Sequence, residues 1–250
     1  MTNKWIVKEI NNEKVKLLKE KFNLSNLAAK IISNRNILGR EMQEDDIRKF
    51  LNPTRDDFYN PFLLPDMEKA VNRIKKAIEN NEKILIYGDY DADGITSTTI
   101  LTNFFKDIGI EVDKYIPNRL KEGYGINNKA LEEIKERGIN LIITVDTGIT
   151  ANNQVDYANE LGLDVIVTDH HEPSEEIPKA VAVIDAKRKD NQYPFNQLAG
   201  CGIAFKLTQA ITIKRNLDPI NYLKNLDIVA IGTISDLVPL VDENRVIVKL

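Results

Sequence analysis

An α/β domain built on a parallel five-stranded sheet flanked by helices, with a helical N-terminal lead-in and a helical C-terminal part, is the architecture this 250-residue sequence predicts. Three observations carry it. The apolar runs Ile84–Tyr87, Leu141–Val145 and Val165–Thr168 are continuous rather than alternating, as expected of strands covered on both faces. Between them lie segments whose apolar residues recur at helical spacing, and such alternation implies right-handed crossovers into a parallel sheet. Each of these runs also leads straight into acidic residues: Asp89, Asp91 and Asp93 after the first, Asp146 after the second, Asp169 after the third.

In chain order, residues 1–65 read as a helical lead-in, and residues 66–250 as the main domain. Val15, Leu18 and Phe22 form one helical stripe. Ser25 is placed to cap a second helix, whose Leu27, Ala28, Ile31 and Ile32 are expected to face a core. Ile47, Phe50 and Leu51 form a third stripe, stopped by Asn52-Pro53, and Pro53, Pro61 and Pro65 punctuate an extended connection. Asp66 is expected to cap a helix carrying Met67, Val71, Ile74 and Ile78 on one face.

The strand Ile84–Tyr87 follows, then a helix with Leu101, Phe104, Phe105 and Ile108 at core spacing. Val112–Ile116 is a second strand, Asn128–Arg137 a helix, Leu141–Val145 a third strand and Asn152–Leu161 a helix. Val165–Thr168 is a fourth strand, and Val181–Ile184, ending in Asp185, a fifth. Beyond it, Leu198–Ile213 reads as a helix opened by a Gly-Cys-Gly turn. Asp218-Pro219 caps another that carries Leu223, Leu226, Ala230 and Thr233 toward Asp236. Apolar residues continue to Leu250 without a terminating signal, which gives the expectation of a cut rather than a natural end.

Composition narrows the function classes. A hydrophobic content of 42%, a charged content of 29% and a net charge of −4 describe an ordinary water-soluble protein and argue against a polycationic nucleic-acid binder. An acidic site can still meet phosphate through a bound metal's own charge. The single cysteine, Cys201, rules out an intramolecular disulfide and fits a reducing compartment. The N-terminal Met1–Glu9 lacks the apolar core of a signal peptide, and no apolar stretch is long enough to span a bilayer. The expected location is therefore the cytoplasm, without membrane contact.

The acids carry the chemistry. Asp89, Asp91 and Asp93 alternate, so in an extended backbone their side chains converge on one spot. Three like charges at close range repel unless cations sit between them or some carboxyls stay protonated, and hard divalent metals favour such oxygen-rich sites. The chain's only two histidines, His170 and His171, are adjacent and follow Asp169 at a strand end. Imidazole with carboxylate ligands suits manganese or a similar ion better than calcium. All these residues fall at carboxyl ends of parallel strands, where open α/β sheets place their sites. Each piece has a plainer reading: Asp91 and Asp93 as caps of the following helix, Asp146-Thr-Gly as a turn, Asp236 as a helix-end acid. Their conjunction on one sheet edge favours the metal reading.

Other candidates surround this edge. The run Gly94–Thr99, with Thr96 and Ser97, could offer helix-start N–H groups and hydroxyls to a phosphate. Arg119, Lys121 and Tyr124 form a basic-aromatic patch suited to a single strand, and Lys187-Arg-Lys189 could touch backbone phosphates. For each, an ordinary helix start or a solvated loop is the competing reading.

Taken together, these motifs resemble the DHH phosphoesterase superfamily. Asp89-Tyr-Asp-Ala-Asp-Gly94 is similar to its first motif, Val145-Asp-Thr-Gly148 to its second, and Asp169-His-His171 to the signature that names it. Gly232-Thr-Ile-Ser-Asp236, with Glu243-Asn-Arg245 beyond, is similar to the fourth. Pro117-Asn-Arg-Leu120, Glu122-Gly-Tyr-Gly125 and Leu198–Phe205 resemble its RecJ single-strand-specific exonuclease branch, over roughly residues 66–250.

The resemblance implies two divalent ions, Mn2+ or Mg2+, in line with two-metal hydrolysis of a phosphodiester. Asp146 would bridge them. Asp91, helped by Asp89, would hold one, while Asp93, His170 and Asp236 complete the other. His171 would lie near the scissile phosphate, and Asp169 would orient a histidine from behind. Related family II pyrophosphatases place a histidine where this chain has Tyr87, which implies weaker hold on the first ion, with Asp89 or water substituting.

The implied activity is 5′ to 3′ digestion of single-stranded DNA to nucleoside 5′-monophosphates in recombination and repair, with a single-strand-binding protein as partner. The alternatives are a DHH phosphoesterase acting on short oligonucleotides or small nucleotide phosphates, and a non-catalytic DHH scaffold. Family members carry a second domain, and the RecJ branch an oligonucleotide-binding fold, that these residues lack. The chain alone is therefore expected to hold metal but to degrade long DNA poorly.

Overall fold

The computed structural model of the chain describes residues 8–37 and 39–250; the N-terminal residues 1–7, on which the signal-peptide reading largely rests, lie outside them. The chain divides into two compact units, Met1–Asp57 and Phe58–Leu250.

In the first unit, α1 (Asn12–Phe22) is capped by Asn11, whose side chain accepts from the Lys14 N–H at 3.0 Å, and α2 (Asn26–Ser33) by Ser25, which accepts from Ala28 at 3.2 Å. A small antiparallel ribbon of β1 (Asn36–Ile37) and β2 (Arg40–Glu41) leads to α3 (Glu44–Leu51). The Asp46 carboxylate in the first turn of α3 accepts from the Gln43 N–H at 2.8 Å and receives both ends of the Arg40 guanidinium. Val15, Leu18, Ala29, Ile32, Ile37, Met42 and Ile47 are buried. The expected α2 stripe is only partly right: Leu27 and Ile31 are 69% and 57% exposed, because Ala29 and Ile32 take the inner face instead.

The second unit is the α/β domain. The helix α4 (Met67–Glu79) precedes β3 (Ile84–Tyr87), α5 (Ala92–Asp107), β4 (Asp113–Tyr115), α6 (Asn128–Glu136) and β5 (Leu141–Val145). Then come α7 (Asn152–Glu160), β6 (Asp164–Thr168) and β7 (Ala182–Ile184). All pairings in this sheet are parallel, in the order β4-β3-β5-β6-β7. Leu85, Tyr87, Ile142, Val165, Val167 and Val183 point to one face and pack with Ala130, Leu131 and Ile134 of α6 and Val155 and Ala158 of α7. The alternate residues face α5 and α8 (Gly200–Lys214), and both faces are thereby covered, which is why the strands read as continuous apolar runs. The helices α9 (Ile220–Leu223), α10 (Leu226–Ser235) and α11 (Asp242–Lys249) complete the chain, with α10 against α5 and α11. Among the described residues no helix is long and apolar enough to cross a membrane.

Four local expectations change. Segment 58–65, read as part of the lead-in, belongs to the second unit, where the buried Lys206 ammonium donates to the Tyr59 carbonyl at 2.7 Å. Asp66 precedes α4 but does not cap it: its backbone is left-handed (φ 55°), and its carboxylate instead receives Lys69, the Val183 N–H and Arg188. The Gly-Cys-Gly segment is the first turn of α8 rather than a turn before it. Finally, the helix expected from Asp218 to Asp236 is two helices. Asp218 accepts from Ile220 at 2.8 Å to start α9, and the buried Asn225, held by Asn103 at 3.2 Å, separates it from α10.

Candidate metal centre

Strand register builds the site. Val145 pairs with Thr168 and Thr168 with Ile184, so the residues that follow them, Asp146, Asp169 and Asp185, stand side by side at the carboxyl edge. Tyr87 pairs with Thr144, which brings Asp89, two residues on, level with Asp146. Asp89, Asp146 and Asp169 are the acids the sequence predicts here; Asp185 ends a predicted strand, and its place on this edge is a structural finding.

The loop after β3 delivers three carboxylates to different depths. Asp89 is buried and Asp91 exposed, with Asp91 Oδ1 capping α5 by accepting from the Gly94 N–H at 2.9 Å. A Cβ at Gly94 would come within 2.6 Å of the Asp89 backbone, so only glycine lets α5 begin this close to the strand end. Asp93 lies in the first turn of α5, 2% exposed. Its Oδ2 accepts from the Gly200 N–H at 2.6 Å and its Oδ1 from the Cys201 N–H at 2.8 Å, both at the start of α8. Those amides are helix-start donors with no partner in their own helix.

Asp146 is buried in a left-handed conformation (φ 58°), which aspartate tolerates better than most residues. The turn behind it is tied by the Thr144 hydroxyl donating to the Thr147 carbonyl at 2.7 Å. His170 Nε2 lies 3.1 Å from Asp146 Oδ1 and 3.7 Å from Asp93 Oδ2, and its Nδ1 lies 3.7 Å from Asp236 Oδ2 at the end of α10.

Asp169, 1% exposed, is a hub behind these groups. Its Oδ1 accepts from the His170 N–H at 2.7 Å and the His171 N–H at 3.2 Å and contacts His171 Nδ1 at 2.7 Å; Oδ2 accepts from the Ile149 N–H at 2.9 Å. His171 is half exposed, with its ring centroid 4.4 Å from that of His170 and 6.2 Å from that of Tyr124.

The electrostatics follow from crowding. Burial, reinforced by the negative charges of Asp93, Asp91 and Asp169, pushes the Asp146 carboxyl up to about 10. Burial also raises Asp89 and Asp236, the latter opposed by His170. Burial alone would raise Asp169, but the hydrogen bond from His171 and those from the backbone hold it below the usual carboxylate range. The same bond to Asp169 raises His171. Asp185, fully buried, is pushed up to about 7 by burial.

Donor atoms of three residue groups converge within 4.8 Å of one another: Asp89, Asp91 and Asp146; Asp93, His170 and Asp236; Asp146, His170 and His171. Asp89 Oδ1, Asp146 Oδ1 and His170 Nε2 are buried and have no hydrogen-bond partner. Buried polar atoms left unpaired are costly, and oxygen with imidazole nitrogen is the donor set of a divalent first-row ion or magnesium, so these residues fit such a cation. Tyr87 takes no part: it is buried against the Tyr115 ring, 5.2 Å away, and donates to the Gly125 carbonyl at 3.1 Å.

The outlying candidates divide. Tyr124 is 55% exposed beside His171, and Arg119 lies over the Tyr90 ring at 5.2 Å, both toward the mouth of the site. Lys121 is exposed on the same loop. Thr96 and Ser97 do not offer hydroxyls to a phosphate. Thr96 donates to the Ala92 and Asp93 carbonyls of its own helix and packs at Gly232, while Ser97 is 0% exposed. In Lys187-Arg-Lys189, Arg188 is a buried tie to Asp66, Asp190 and the Val183 carbonyl, and Lys187 pairs with Glu172, which leaves only Lys189 exposed and unassigned. The α8 amides are site groups that sequence reasoning missed; the Gly200-Cys-Gly202 triplet, with no Cβ at two of three positions, is their one sequence signal.

Comparison with known proteins agrees with this fold. A family model described as "DHH family, N-terminal domain" matches residues 83–233. The chain is 48% identical over 247 residues to the single-stranded-DNA-specific exonuclease RecJ of Bacillus subtilis, covering 99% of this chain and 30% of that protein. A crystal structure of exonuclease RecJ bound to manganese superposes with a TM-score of 0.67 at 36% identity, covering 74% of this chain and 47% of that one. RecJ of Thermus thermophilus in complex with Mn2+ gives a TM-score of 0.71 at 27% identity over 96% of this chain and 33% of that one. The chain thus spans about a third of the length of the curated relatives it matches, between 28% and 39%.

Proposed function

Because the chain belongs to the DHH family, we propose that it is a metal-dependent hydrolase of phosphodiester bonds in single-stranded DNA, using two Mn2+ or Mg2+ ions at the carboxyl edge of its sheet. It would work 5′ to 3′ and release nucleoside 5′-monophosphates in recombination and repair. The second unit, Phe58–Leu250, is taken as the catalytic domain and Met1–Asp57 as its lead-in.

The observation that carries this reading is the trio of buried, partnerless atoms on Asp89, Asp146 and His170, each within a convergent group of donors. Asp146 and His170 each belong to two of those groups, which supports a shared role at the boundary between two ions for Asp146. Asp89 and Asp91 would hold one ion; Asp93, His170 and Asp236 the other. Bound cations supply a water-derived nucleophile at neutral pH and charge against the phosphoryl oxygens.

The chain's own residues do the rest. Asp169 fixes His171 through Nδ1, which leaves Nε2 to meet the phosphate or the leaving oxygen. Tyr124 and Arg119, at the mouth, would guide the strand by stacking and charge. The named activity of the RecJ relatives, 48% identical in one case, supports single-stranded DNA over small nucleotides. A scaffold role is less well supported, since Asp91, Asp93, Asp146, His170 and Asp236 are all present. The reading adds a single-strand-binding protein as partner and the cytoplasm as compartment; the free, buried Cys201 agrees with the latter.

The test is hydrolysis of a short single-stranded oligonucleotide labelled at either end, beside a duplex, a dinucleotide and pyrophosphate, with Mn2+ and with chelator. Mn2+-dependent release of mononucleotides from the 5′ end of the single strand is the expected result. Equal cleavage of the duplex, preference for the dinucleotide or pyrophosphate, or no metal dependence would overturn the reading.

A further inference from the structure

The acid cluster rests against the start of a helix that itself contributes no metal-binding side chain. α8 is almost entirely interior: of its 15 residues all but the last two are buried. Its middle is fixed by Lys206, 0% exposed, which donates to Glu243 of α11 at 2.9 Å and to the Tyr59 carbonyl at 2.7 Å. Tyr193 donates to the other oxygen of Glu243, so the anchor is a closed buried network. A helix held this way cannot slide along its axis without breaking an ion pair in the core.

At its N-terminus two things happen within one turn. The Gly200 and Cys201 amides take both oxygens of Asp93, at 2.6 and 2.8 Å. The missing side chain of Gly200 makes room for Asp146: a Cβ there would lie 2.7 Å from Asp146 Cβ and Oδ1 and 2.9 Å from Cγ. The Asp146 oxygen facing that gap is the buried one without a hydrogen-bond partner. One helix start therefore sets the place of two carboxylates, Asp93 in the first turn of α5 and Asp146 at the end of β5. Helix-start amides and the helix dipole also offset the repulsion between those acids before any cation is present.

We propose that Gly200, with the Cys201 amide, is a positioning element of the metal centre: the anchored start of α8 fixes the spacing of Asp93 and Asp146 and so sets cation affinity. This rests on the two-ion reading given above. The distinguishing variant is Gly200→Ala, which keeps the amide and favours the helix backbone but places a methyl against Asp146. Mn2+ binding is measured by calorimetry and by electron paramagnetic resonance on wild type, Gly200→Ala and Ile213→Ala, an exposed control at the far end of α8.

Wild type and Ile213→Ala should bind two ions alike, and Gly200→Ala should bind at least one of them about tenfold or more weakly, the range typical of groups that orient ligands. In wild type, a Mg2+ titration followed by amide NMR should shift the Gly200 and Cys201 signals with the saturation of metal binding. That measurement decides the matter if Gly200→Ala does not fold. Equal affinity in Gly200→Ala, or unmoved Gly200 and Cys201 signals at saturating Mg2+, overturns the proposal and leaves the two-ion reading intact. A wild-type protein that binds no ion overturns both.

Discussion

His170 Nε2 and Asp146 Oδ1 lie 3.1 Å apart in the interior, and neither atom has a hydrogen-bond partner. A buried nitrogen and oxygen held this close, with no hydrogen bond satisfying either, are arranged for a third atom. Asp146→Asn should therefore lower hydrolysis by more than about 100-fold, exceeding the usual loss for a group that only orients a ligand. The same change removes a carboxyl that the metal-free fold must keep protonated at neutral pH, at a cost in stability, so the metal-free variant should melt at or above the wild-type temperature. Calorimetric melts in chelator, beside the oligonucleotide assay, check both halves.

The acids also predict how metal-free stability depends on pH. Asp146 is pushed to about 10 and Asp185 to about 7, both from an ordinary value of 3.8. Between those limits the folded chain keeps protons that the unfolded chain has released, so stability falls as pH rises. His171, raised by Asp169, acts in the same direction. Asp169 and Asp66, held below the usual range, are ionised in both states above about pH 6 and add no slope there. The melting temperature in chelator should decline from about pH 6 to 8, and saturating Mn2+, which competes with those protons, should reverse the sign. A flat or rising metal-free profile would contradict the crowding described here.

Asp169→Asn keeps the size of the hub but removes its charge and misplaces one donor. Since Asp169 Oδ1 meets three nitrogens, of His170 and His171, the histidine pair should lose its fixed orientation. Turnover should drop by about 10- to 100-fold, with bound Mn2+ reduced less than turnover. Metal analysis of the purified variant against its kcat separates the two.

Arg119→Ala and Tyr124→Ala should act on the strand rather than on the reaction. Stacking contributes on the order of 1–3 kcal/mol per base, so either change should raise KM for a single strand by about tenfold. kcat, and hydrolysis of a dinucleotide, should hardly move. A fall in kcat at constant KM would place these side chains elsewhere.

Lys206→Met takes the buried cation away from Glu243, which is 0% exposed and keeps only the neutral Tyr59 N–H and Tyr193 hydroxyl as partners. Breaking one side of such a buried pair costs about 3–5 kcal/mol, and denaturant unfolding should show it. The double variant Lys206→Met/Glu243→Leu should recover part of that loss, because no charge is stranded.

Much of this was readable in the letters. The strands β3, β5 and β6 were legible because a parallel strand buried on both sides has no polar face to confuse the pattern, and their ends announced the site through Asp89, Asp146 and Asp169. What the letters hid were the partners that side chains choose. Asp66 sits where a helix cap belongs, yet a long-range guanidinium from Arg188 claims its carboxylate. Thr96 and Ser97 looked available to a phosphate, but the Thr96 hydroxyl meets the carbonyl one turn back and packs at Gly232 of α10, while Ser97 is buried within the fold. The amides of Gly200 and Cys201 have no side-chain signature, so over a hundred residues of separation from Asp93 concealed them.

The strand order β4-β3-β5 means that the chain leaves the acid-bearing strand toward one side and comes back on the other. The long excursion between β4 and α6 brings Arg119 to Tyr90 and Tyr124 to His171, while the acids proposed to hold the ions stand on the strand ends and helix starts. Grip and chemistry are thus written on separable stretches of polypeptide. On the proposed reading, exchanging residues 118–124 should change substrate preference while leaving the proposed metal-holding acids in place.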